Sequence, residues 1–245
     1  MLLLISVSDP LEVEAAVAGG ADIIDVKNPR EGSLGAATPA VIRDVRARTP
    51  AHVPVSAAIG DVPDLPGTVA LAAAGAAACG VQYVKIGLLG PSGTARARQL
   101  ALDSTRAARE VDPSVKVILT AYADARQVGA LSPLDVADIA HETRAAGCMI
   151  DTATKQSGSL FELMSPPELA RFLSRCRSHG LVCALAGSLE AAHVPNLRRL
   201  APDIVGIRTA ACRGDRVTGS IDAGLVCKFK SLLAQPEHLP FSPAQ

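Results

Sequence analysis

Short runs of β-favouring apolar residues alternate along this chain with longer, Ala-rich stretches that have a helical period. The apolar runs predict strands at 2–7, 22–26, 53–58, 83–87, 115–121, 148–151, 181–186 and 203–207. The stretches between and after them predict helices at 9–19, 38–48, 66–79, 94–110, 132–146, 165–179, 189–199 and 222–233. Alternation of this kind is typical of a parallel sheet covered by helices.

Local signals mark many of the predicted helix ends. Four helices begin with a capping side chain followed by proline at the first helical position, and the capping residues are Asp9, Thr38, Ser132 and Ser165. Glycine, which often follows the last turn of a helix, predicts stops at Gly19, Gly80, Gly147 and Gly180.

Eight strand–helix units within about 230 residues are the number that a (β/α)8 barrel requires. We therefore predict one α/β domain, a single (β/α)8 TIM barrel over residues 1–234, and a loosely ordered C-terminal tail at 235–245. An open, doubly wound sheet is the alternative. No GxGxxG motif follows the first strand, and eight evenly spaced units favour a closed sheet.

The composition argues against several classes of function. Basic and acidic residues balance at 24 each, and the chain has four Phe, two Tyr and no Trp. Neither a basic surface nor an aromatic platform is therefore available for nucleic acid. The longest weakly apolar run, 69–81, is shorter than the ~20 residues of a membrane helix. We predict no nucleic-acid partner and no membrane segment.

The N-terminus and the cysteines both favour the cytoplasm. The N-terminus has no basic region, and its apolar run is soon followed by the acidic residues Asp9 and Glu12. This pattern predicts a buried strand rather than a signal peptide. The six cysteines are scattered without CxxC spacing, as expected of free thiols in a reducing compartment. An Ala-rich segment at 70–78 has two interpretations, packing against the barrel wall or contact between subunits, so a homo-oligomer is left open.

Lysine is scarce in this sequence, and its positions are informative. Only six of the 24 basic residues are lysines, and three of them lie at or just after predicted strand ends: Lys27, Lys85 and Lys155. Two aspartates lie near them, Asp25 on the second strand and Asp151 on the sixth. The two-residue period of a strand places Asp25 and Lys27 on one face, which we predict to be the inner face because Ile24 suits the helix layer.

These charged residues, with Arg208 after the eighth strand, all belong to even-numbered strands. Alternate strands share a layer of a barrel interior, and the active sites of barrel enzymes lie at the carboxyl ends of the strands. We therefore predict that the set lines one cavity. The other interpretation is that these are ordinary strand-end charges, solvated or paired with one another, since buried charges need partners.

A lysine in such a cavity indicates imine chemistry. Unlike arginine, lysine can lose its proton and attack a carbonyl carbon. An ordinary ammonium group, with a pKa near 10.4, is almost never neutral at pH 7, but burial and a second cation lower that pKa. Lys27 and Lys85 in one narrow cavity therefore favour a reactive amine. Asp25 and Asp151 either move protons or hold a lysine charged.

The loops after the seventh and eighth strands predict an anion site. Barrels often bind phosphate there, and these loops read ALAGSLE and GIRTAACRGD. Small residues allow backbone N–H groups to approach an anion, and a helix start favours negative charge. A plain helix start is the alternative interpretation of the first loop. The candidate phosphate-binding residues are Gly187, Ser188, Arg208 and Ala211.

Other polar segments have weaker assignments. Two glycine-containing loops, 28–36 and 60–68, either cover the cavity or bind a second anion. Tyr122 and Asp124, after the fifth strand, are candidates for indirect contact with the cavity. The five histidines lack ligand spacing, so we predict no metal site.

Six long segments of the sequence carry a family resemblance. They are GGADIIDVKNPREGSLGA (19–36), SAAIGDVPDLPGTVALAAAGAA (56–77), YVKIGL (83–88), DTATKQSGSLF (151–161), CALAGSL (183–189) and DIVGIRTAACRGDR (203–216). Together they resemble the (5-formylfuran-3-yl)methyl phosphate synthase family, over nearly the whole chain. Enzymes of that family make the furan precursor of methanofuran in methanogens and of related cofactors in methylotrophs.

The resemblance implies a barrel enzyme that condenses two molecules of glyceraldehyde 3-phosphate without a metal or organic cofactor. In that family the lysine of the DVKNP segment forms the Schiff base, and this lysine falls on Lys27. The other active-site residues of the family fall on Asp25, Lys85, Asp151 and Lys155. They are the residues that the strand ends also select.

The implied reaction balances by formula. Two C3H7O6P molecules lose one phosphoric acid and two waters to give C6H7O6P, the formula of a formylfuranylmethyl phosphate. The implied class is a carbon–oxygen lyase acting on phosphates. The alternatives are a class I sugar-phosphate aldolase, which keeps both phosphates, and a non-catalytic phosphosugar-binding subunit.

Overall fold

In the computed structural model, which describes residues 1–235, eight parallel strands close into a barrel in chain order. The strands are β1 (Leu2–Val7), β2 (Ile23–Val26), β3 (Val55–Asp61), β4 (Tyr83–Gly87), β5 (Lys116–Tyr122), β6 (Gly147–Asp151), β7 (Val182–Leu185) and β8 (Ile204–Ile207). Each strand pairs with the next, and β1 closes the barrel by pairing with β8. The predicted (β/α)8 fold is confirmed, and the open sheet is wrong. The tail predicted at 235–245 lies, apart from Gln235, outside the described residues.

Helices occur in every connection between consecutive strands. They are α1 (Glu12–Ala18), α2 (Pro39–Arg48), α3 (Pro66–Ala77), α4 (Thr94–Val111), α5 (Ala125–Val128), α6 (Pro133–Glu142), α7 (Leu160–Leu163), α8 (Pro166–Ser178), α9 (Val194–Leu200) and α10 (Ala223–Ala234). All eight predicted helices are present, and the short α5 and α7 are additions to them. After β8 the chain also forms an antiparallel hairpin, β9 (Cys212–Arg213) and β10 (Ser220–Ile221).

Strand side chains alternate between the helix-covered outside of the barrel and its interior, because successive strand residues point to opposite faces. Outward residues such as Ile5, Ile24 and Val26 belong to the main core between strands and helices. Inward apolar residues form a separate cluster, which we call the apolar floor: Leu4, Ile23, Ile118, Met149, Ala184, Ala186 and Ile204. Leu4 and Ile23 precede Ser6 and Asp25 on the same inner faces, so this cluster fills the amino-terminal side of the interior.

Three of the predicted helix starts are confirmed, and one is wrong. Proline follows the capping residue at each confirmed start, namely Thr38, Ser132 and Ser165. The start predicted at Asp9 is wrong, because α1 begins at Glu12. The Glu12 carboxylate accepts hydrogen bonds from the N–H groups of Ser8 (2.7 Å) and Asp9 (3.4 Å). These bonds hold the chain in a turn before the helix.

Gly147 is a strand residue and not the helix stop that the sequence predicts. Helix α6 ends at Glu142, and the chain turns through Arg144, whose φ is 57°. Gly147 begins β6, where a Cβ atom would lie 2.3 Å from the carbonyl oxygen of Val182 on β7. Close approach of two strands, rather than helix termination, explains this glycine.

Two predictions made from composition, on the cysteines and on membrane segments, can be compared with the structure. The six cysteines are free, and all except Cys227 are buried, which confirms the prediction of free thiols. No helix within residues 1–235 is both long and apolar enough to span a bilayer.

On α3, Ala73 and Ala77 are buried, whereas Leu71 is 77% exposed. The two interpretations of 70–78 therefore apply to opposite faces of α3, and subunit contact stays a prediction.

Gly147→Ala is expected to lower the free energy of unfolding by about 1–3 kcal/mol, because the added methyl group must displace strand backbone. Gly75→Ala is the matched control, since a Cβ at this helical position would have no neighbour within 4 Å. It should raise the free energy of unfolding by about 0.5–1 kcal/mol through helix propensity. Urea denaturation measures both values. Changes of the same sign would contradict this account of Gly147.

Candidate active site

Five charged side chains from three strands meet inside the carboxyl end of the barrel. Asp25 lies on β2, Lys27 directly follows that strand, Lys85 lies on β4 and Asp151 ends β6. Lys155 begins a short 3-10 helix four residues after Asp151. The strand period therefore turns the predicted residues inward, and ion pairs join them. The structure brings together all five residues of the predicted catalytic set.

Lys85 and Asp25 form the deeper ion pair. Lys85 Nζ lies 2.8 Å from Asp25 Oδ2, and both side chains are almost fully buried. The Ser6 hydroxyl donates to the same oxygen at 2.9 Å. The other oxygen, Asp25 Oδ1, is buried and has no hydrogen-bond partner among residues 1–235. Asp25 therefore holds Lys85 in place and retains one oxygen that can accept a hydrogen bond.

Lys155 and Asp151 form the second ion pair, nearer the surface. Lys155 Nζ donates to Asp151 Oδ1 at 2.7 Å and to both the carbonyl oxygen and the hydroxyl of Thr152, at 2.9 and 2.7 Å. Burial by itself would raise the pKa of Asp151. The positive charges of Lys155 and Lys27, with hydrogen bonds to the carboxylate, instead hold that pKa well below its usual range. Asp151 is therefore ionised at neutral pH.

Lys27 is the lysine of this set whose amine makes no hydrogen bond within residues 1–235. Its Nζ lies 3.8 Å from Asp151 Oδ2, and its side chain is 8% exposed. Burial, helped by the charges of Lys85 and Lys155, lowers the pKa of Lys27 to about 8, although Asp151 and Asp25 oppose the shift. At pH 7 roughly one Lys27 amine in ten is then neutral, against fewer than about one in a thousand for an ordinary lysine.

A pocket that is open to solvent, with about 420 Å³ of free space, lies beside Lys27. Its polar lining residues are Ser6, Lys27, Asp151, Lys155, Ser188, Arg208, Thr209 and Arg216. Lys85 instead lines a smaller cavity against the apolar floor. The predicted single cavity therefore does not include Lys85. No group of three or more His, Cys, Asp or Glu side chains in the described part of the chain could hold a metal ion. The pocket lining therefore contains two amines, two guanidinium groups and a carboxylate.

Gly187 and Ser188 line this pocket but do not begin a helix. The next helical turn, Ala191–His193, starts three residues after Ser188. Both residues have positive φ, 104° and 50°, and no group of residues 1–235 accepts a hydrogen bond from their N–H groups. A Cβ at Gly187 would lie 2.9 Å from Thr152 Cγ2, so the glycine allows a close approach to β6. The predicted anion site therefore rests on these N–H groups and not on a helix start.

Arg208 also lines the pocket, but protein groups use its donors. Nη1 and Nη2 bind the Glu12 carboxylate at 3.0 and 3.2 Å, Nη2 donates to the Ser8 hydroxyl at 2.8 Å, and Nε donates to the carbonyl oxygen of Arg216 at 2.6 Å. These contacts give Arg208 a structural role, and the phosphate contact predicted for it stays a prediction. Ala211, predicted for the same site, is fully buried, and its N–H donates to the Arg208 carbonyl oxygen at 2.8 Å. Its amide is therefore unavailable to phosphate.

The loop at 28–36, which we call the cover loop, closes part of the barrel mouth. Its Leu34 side chain is fully buried and packs against Tyr122. The N–H groups of Ser33 and Leu34 donate to Asp61 Oδ2 at 2.8 and 3.3 Å, and the Tyr122 hydroxyl donates to the other Asp61 oxygen. Burial and the Asp61 charge raise the pKa of Tyr122 well above its usual value. Asp61, which ends β3, was not singled out by the sequence, and only these contacts reveal its position.

Asp124 positions the segment that carries Lys155. Its carboxylate accepts hydrogen bonds from the N–H groups of Ala153 and Thr154, at 2.8 and 2.9 Å, and from the Thr154 hydroxyl. Burial would raise the pKa of Asp124, but these hydrogen bonds outweigh it and lower the pKa below its ordinary value. Asp124 therefore influences the pocket through the loop after β6.

Comparison with known proteins identifies close relatives over nearly the full length. Residues 3–230 match the model of the 4-HFC-P synthase family. The (5-formylfuran-3-yl)methyl phosphate synthase of Methanocaldococcus jannaschii is 48% identical over 233 residues, which cover 95% of this chain and 99% of that protein. The enzyme of the same name from Methanothermobacter thermautotrophicus is 46% identical over 234 residues, with coverage of 95% and 99%.

Solved structures share the barrel. The 3-hexulose-6-phosphate synthase of Salmonella typhimurium superposes with a TM-score of 0.66 at 19% identity, covering 95% of this chain and 98% of that one. KGPDC from Streptococcus mutans superposes with a TM-score of 0.65 at 13% identity, covering 95% of this chain and 96% of that one. At these identities the likeness shows the fold alone.

Glu12→Gln is expected to lower the free energy of unfolding by about 3–5 kcal/mol, because it leaves the buried Arg208 guanidinium without a counter-charge. Glu14→Gln, at an exposed position of the same helix, is the matched control and should change that free energy by no more than about 0.5 kcal/mol. Chemical denaturation of both variants provides the measurement. If Glu12→Gln were as stable as the control, Arg208 would not depend on this carboxylate.

Proposed function

This chain belongs to the 4-HFC-P synthase family, and we propose that it is a Schiff-base lyase that condenses two molecules of glyceraldehyde 3-phosphate. The product is (5-formylfuran-3-yl)methyl phosphate, and one phosphate and two waters leave. The reaction is a step of methanofuran-type cofactor biosynthesis, and we expect it in the cytoplasm without a metal or organic cofactor. The observation that carries the proposal is the buried Lys27 amine, which has a lowered pKa and no hydrogen-bond partner among the described residues.

The proposed reaction begins when neutral Lys27 attacks the aldehyde carbon of one triose phosphate. The resulting carbinolamine loses water and becomes an imine. The imine acidifies the neighbouring C–H, and loss of that proton leaves an enamine. The electron pair of the enamine can form a carbon–carbon bond with the aldehyde of the second triose. It can also expel the phosphate that lies one carbon further along. One lysine therefore serves both bond formation and phosphate elimination.

The two ion pairs supply the proton carriers for these steps. Asp151 is ionised, and its Oδ2 lies 3.8 Å from Lys27 Nζ, so we assign it as the base beside the imine. Lys155 donates a hydrogen bond to the other Asp151 oxygen at 2.7 Å and can return a proton to a departing hydroxyl group or phosphate. Asp25 and Lys85 form the second, deeper pair of carboxylate and amine, 2.8 Å apart, and we assign them the same combination of roles.

The pocket also accounts for a phosphorylated substrate. Gly187 and Ser188 line it, and their N–H groups donate to no other residue of 1–235. Backbone N–H groups in such a loop are suitable donors to phosphate oxygens. We therefore assign Gly187 and Ser188 to the phosphate site.

Two other functions would give a different result with the same substrate. A class I sugar-phosphate aldolase also needs the reactive lysine but keeps both phosphates. A non-catalytic phosphosugar-binding subunit needs no neutral amine and forms no product. Incubation with glyceraldehyde 3-phosphate alone, followed by inorganic phosphate assay and mass spectrometry of the products, separates the three. Furan product with equimolar phosphate supports the synthase, and a bisphosphate product supports the aldolase.

Reduction with borohydride in the presence of glyceraldehyde 3-phosphate should attach the triose covalently to Lys27, as peptide mass spectrometry would show. Lys27→Arg keeps the charge but has no nucleophilic amine, so turnover should fall below about one thousandth of the wild-type rate. Lys116→Arg, an exposed position on β5, is the control and should retain activity. A label on another residue, or appreciable turnover by Lys27→Arg, would refute the proposed mechanism.

The rate of imine formation should rise with pH and level off above a midpoint of about 8, because only neutral Lys27 attacks the aldehyde. Asp151 raises the pKa of Lys27 and Lys85 lowers it. Asp151→Asn should therefore move the midpoint to lower pH, and Lys85→Gln should move it to higher pH. Initial rates of labelling with cyanoborohydride, measured by intact mass, give the midpoints.

The exposed Lys228→Gln variant serves as the control for these midpoints and should reproduce the wild-type profile. Shifts of Asp151→Asn and Lys85→Gln in the same direction would show that their charges do not set the pKa of Lys27 in opposite ways.

A further inference from the structure

A second arginine, Arg216, lines the pocket and was not among the residues that the strand ends predict. It follows Arg208 by eight residues, at the tip of the hairpin formed by β9 and β10. Its side chain shares the pocket wall with Lys27 and Asp151. A guanidinium group in this place faces a molecule that is bound to Lys27.

The backbone of Arg216 is held from two sides. The Asp215 carboxylate accepts hydrogen bonds at 2.6 and 2.9 Å from the N–H groups of the two residues after Arg216, which fixes the turn. From the barrel side, Arg208 Nε donates to the Arg216 carbonyl oxygen at 2.6 Å. The buried Arg208 network therefore sets the position from which the Arg216 side chain reaches the pocket.

The guanidinium group of Arg216 keeps a donor without an acceptor. Its Nη2 atom is buried, and no group of residues 1–235 accepts a hydrogen bond from it. Buried charged donors are costly unless they are satisfied, so a donor at a pocket wall is suited to a ligand. Burial lowers the pKa of Arg216 and the Asp151 and Asp61 carboxylates raise it, but a guanidinium keeps its proton in proteins.

The other basic residues of the pocket either must be neutral to react or already bind a carboxylate of the protein. Lys27 must be neutral to attack an aldehyde, Lys155 is bound to Asp151, and Arg208 is bound to Glu12. A phosphate monoester carries close to two negative charges at neutral pH, and its binding needs a cation that stays charged. Arg216 is the remaining cation of the pocket lining within residues 1–235.

We infer that Arg216 binds the phosphate group of a triose phosphate and holds the aldehyde end of the same molecule against Lys27. The inference rests on the proposed function and adds a binding residue to that site. Arginine suits this task because its planar fork donates two parallel hydrogen bonds to phosphate oxygens. Gly187 and Ser188 line the same pocket and can donate their N–H groups to the remaining oxygens.

Aldehydes with and without a phosphate group separate binding from imine chemistry. Wild type, Arg216→Gln and Arg213→Gln are each incubated with cyanoborohydride and either glyceraldehyde 3-phosphate or glyceraldehyde, below saturation. Initial rates of labelling at Lys27 are measured by mass spectrometry. Arg213 lies on the same hairpin with a side chain that is 79% exposed, so its variant is the matched control.

Arg216→Gln should lower the labelling rate with glyceraldehyde 3-phosphate by about 10- to 100-fold, the effect of one charge-assisted contact, and change the rate with glyceraldehyde by less than about twofold. Arg213→Gln should leave both rates unchanged. Arg216→Lys should restore part of the lost rate, because it keeps the charge but not the fork. Equal effects of Arg216→Gln on the two aldehydes, or no effect on either, would overturn the inference.

Inorganic phosphate tests Arg216 without relying on the imine. Phosphate should raise the melting temperature of wild type and Arg213→Gln, and it should raise that of Arg216→Gln much less. An equal rise in all three, or no rise in the wild type, also overturns the inference. If the wild type is labelled by neither aldehyde, the Schiff-base proposal fails while this comparison still decides the role of Arg216.

Should Arg216→Gln not fold, Arg216→Lys replaces it. Labelling rates and melting-temperature shifts of Arg216→Lys equal to those of wild type would count against the inference.

Discussion

Among residues 1–235, ion pairs of the candidate site join three lysines, Lys27, Lys85 and Lys155, to two carboxylates, Asp25 and Asp151. The chemistry that we propose for the site depends on this imbalance. Asp25 binds Lys85 and Asp151 binds Lys155, each with a charge-assisted hydrogen bond shorter than 3 Å. Lys27 is left 3.8 Å from Asp151. A buried ammonium group without a close partner is unfavourable, and the group becomes more stable when it loses its proton. The reactivity that we propose for Lys27 is therefore a result of how its neighbours are paired.

That pairing needs a rigid and dry surrounding, which three features provide. The apolar floor fills the amino-terminal side of the barrel interior. The cover loop closes part of the mouth through its hydrogen bonds to Asp61. The buried pair of Glu12 and Arg208 ties the first helix to the loop after the last strand, across 196 residues of sequence. Because this shell buries the Lys27 amine away from water, which disfavours its charged form, the shell contributes directly to the lowered pKa of Lys27.

Specific residues show where prediction from sequence succeeded and where it failed. The period of a strand placed Asp25 and Lys27 on the inner face, and barrel topology put them on the same side as Asp151. The helix stop predicted at Gly147 was wrong, because a carbonyl oxygen on the neighbouring strand leaves no room for a Cβ atom there. The ion pair of Arg208 with Glu12 was not predicted, because Glu12 lies at the far end of the chain. Local patterns cannot show contacts of this kind.

The sequence by itself determined the order of the elements, the closed barrel and the set of charged residues that share its interior. These follow from side-chain periodicity and from the geometry of eight repeated units, both of which are local properties. Only the tertiary structure decided which lysine makes no hydrogen bond, and which arginine keeps a buried donor without an acceptor, among residues 1–235. Those assignments depend on distances of a few ångströms between side chains from different strands and loops, such as Asp25 and Lys85, which are 60 residues apart. Differences of about 1 Å between such pairs separate a lysine that makes a hydrogen bond from one that does not.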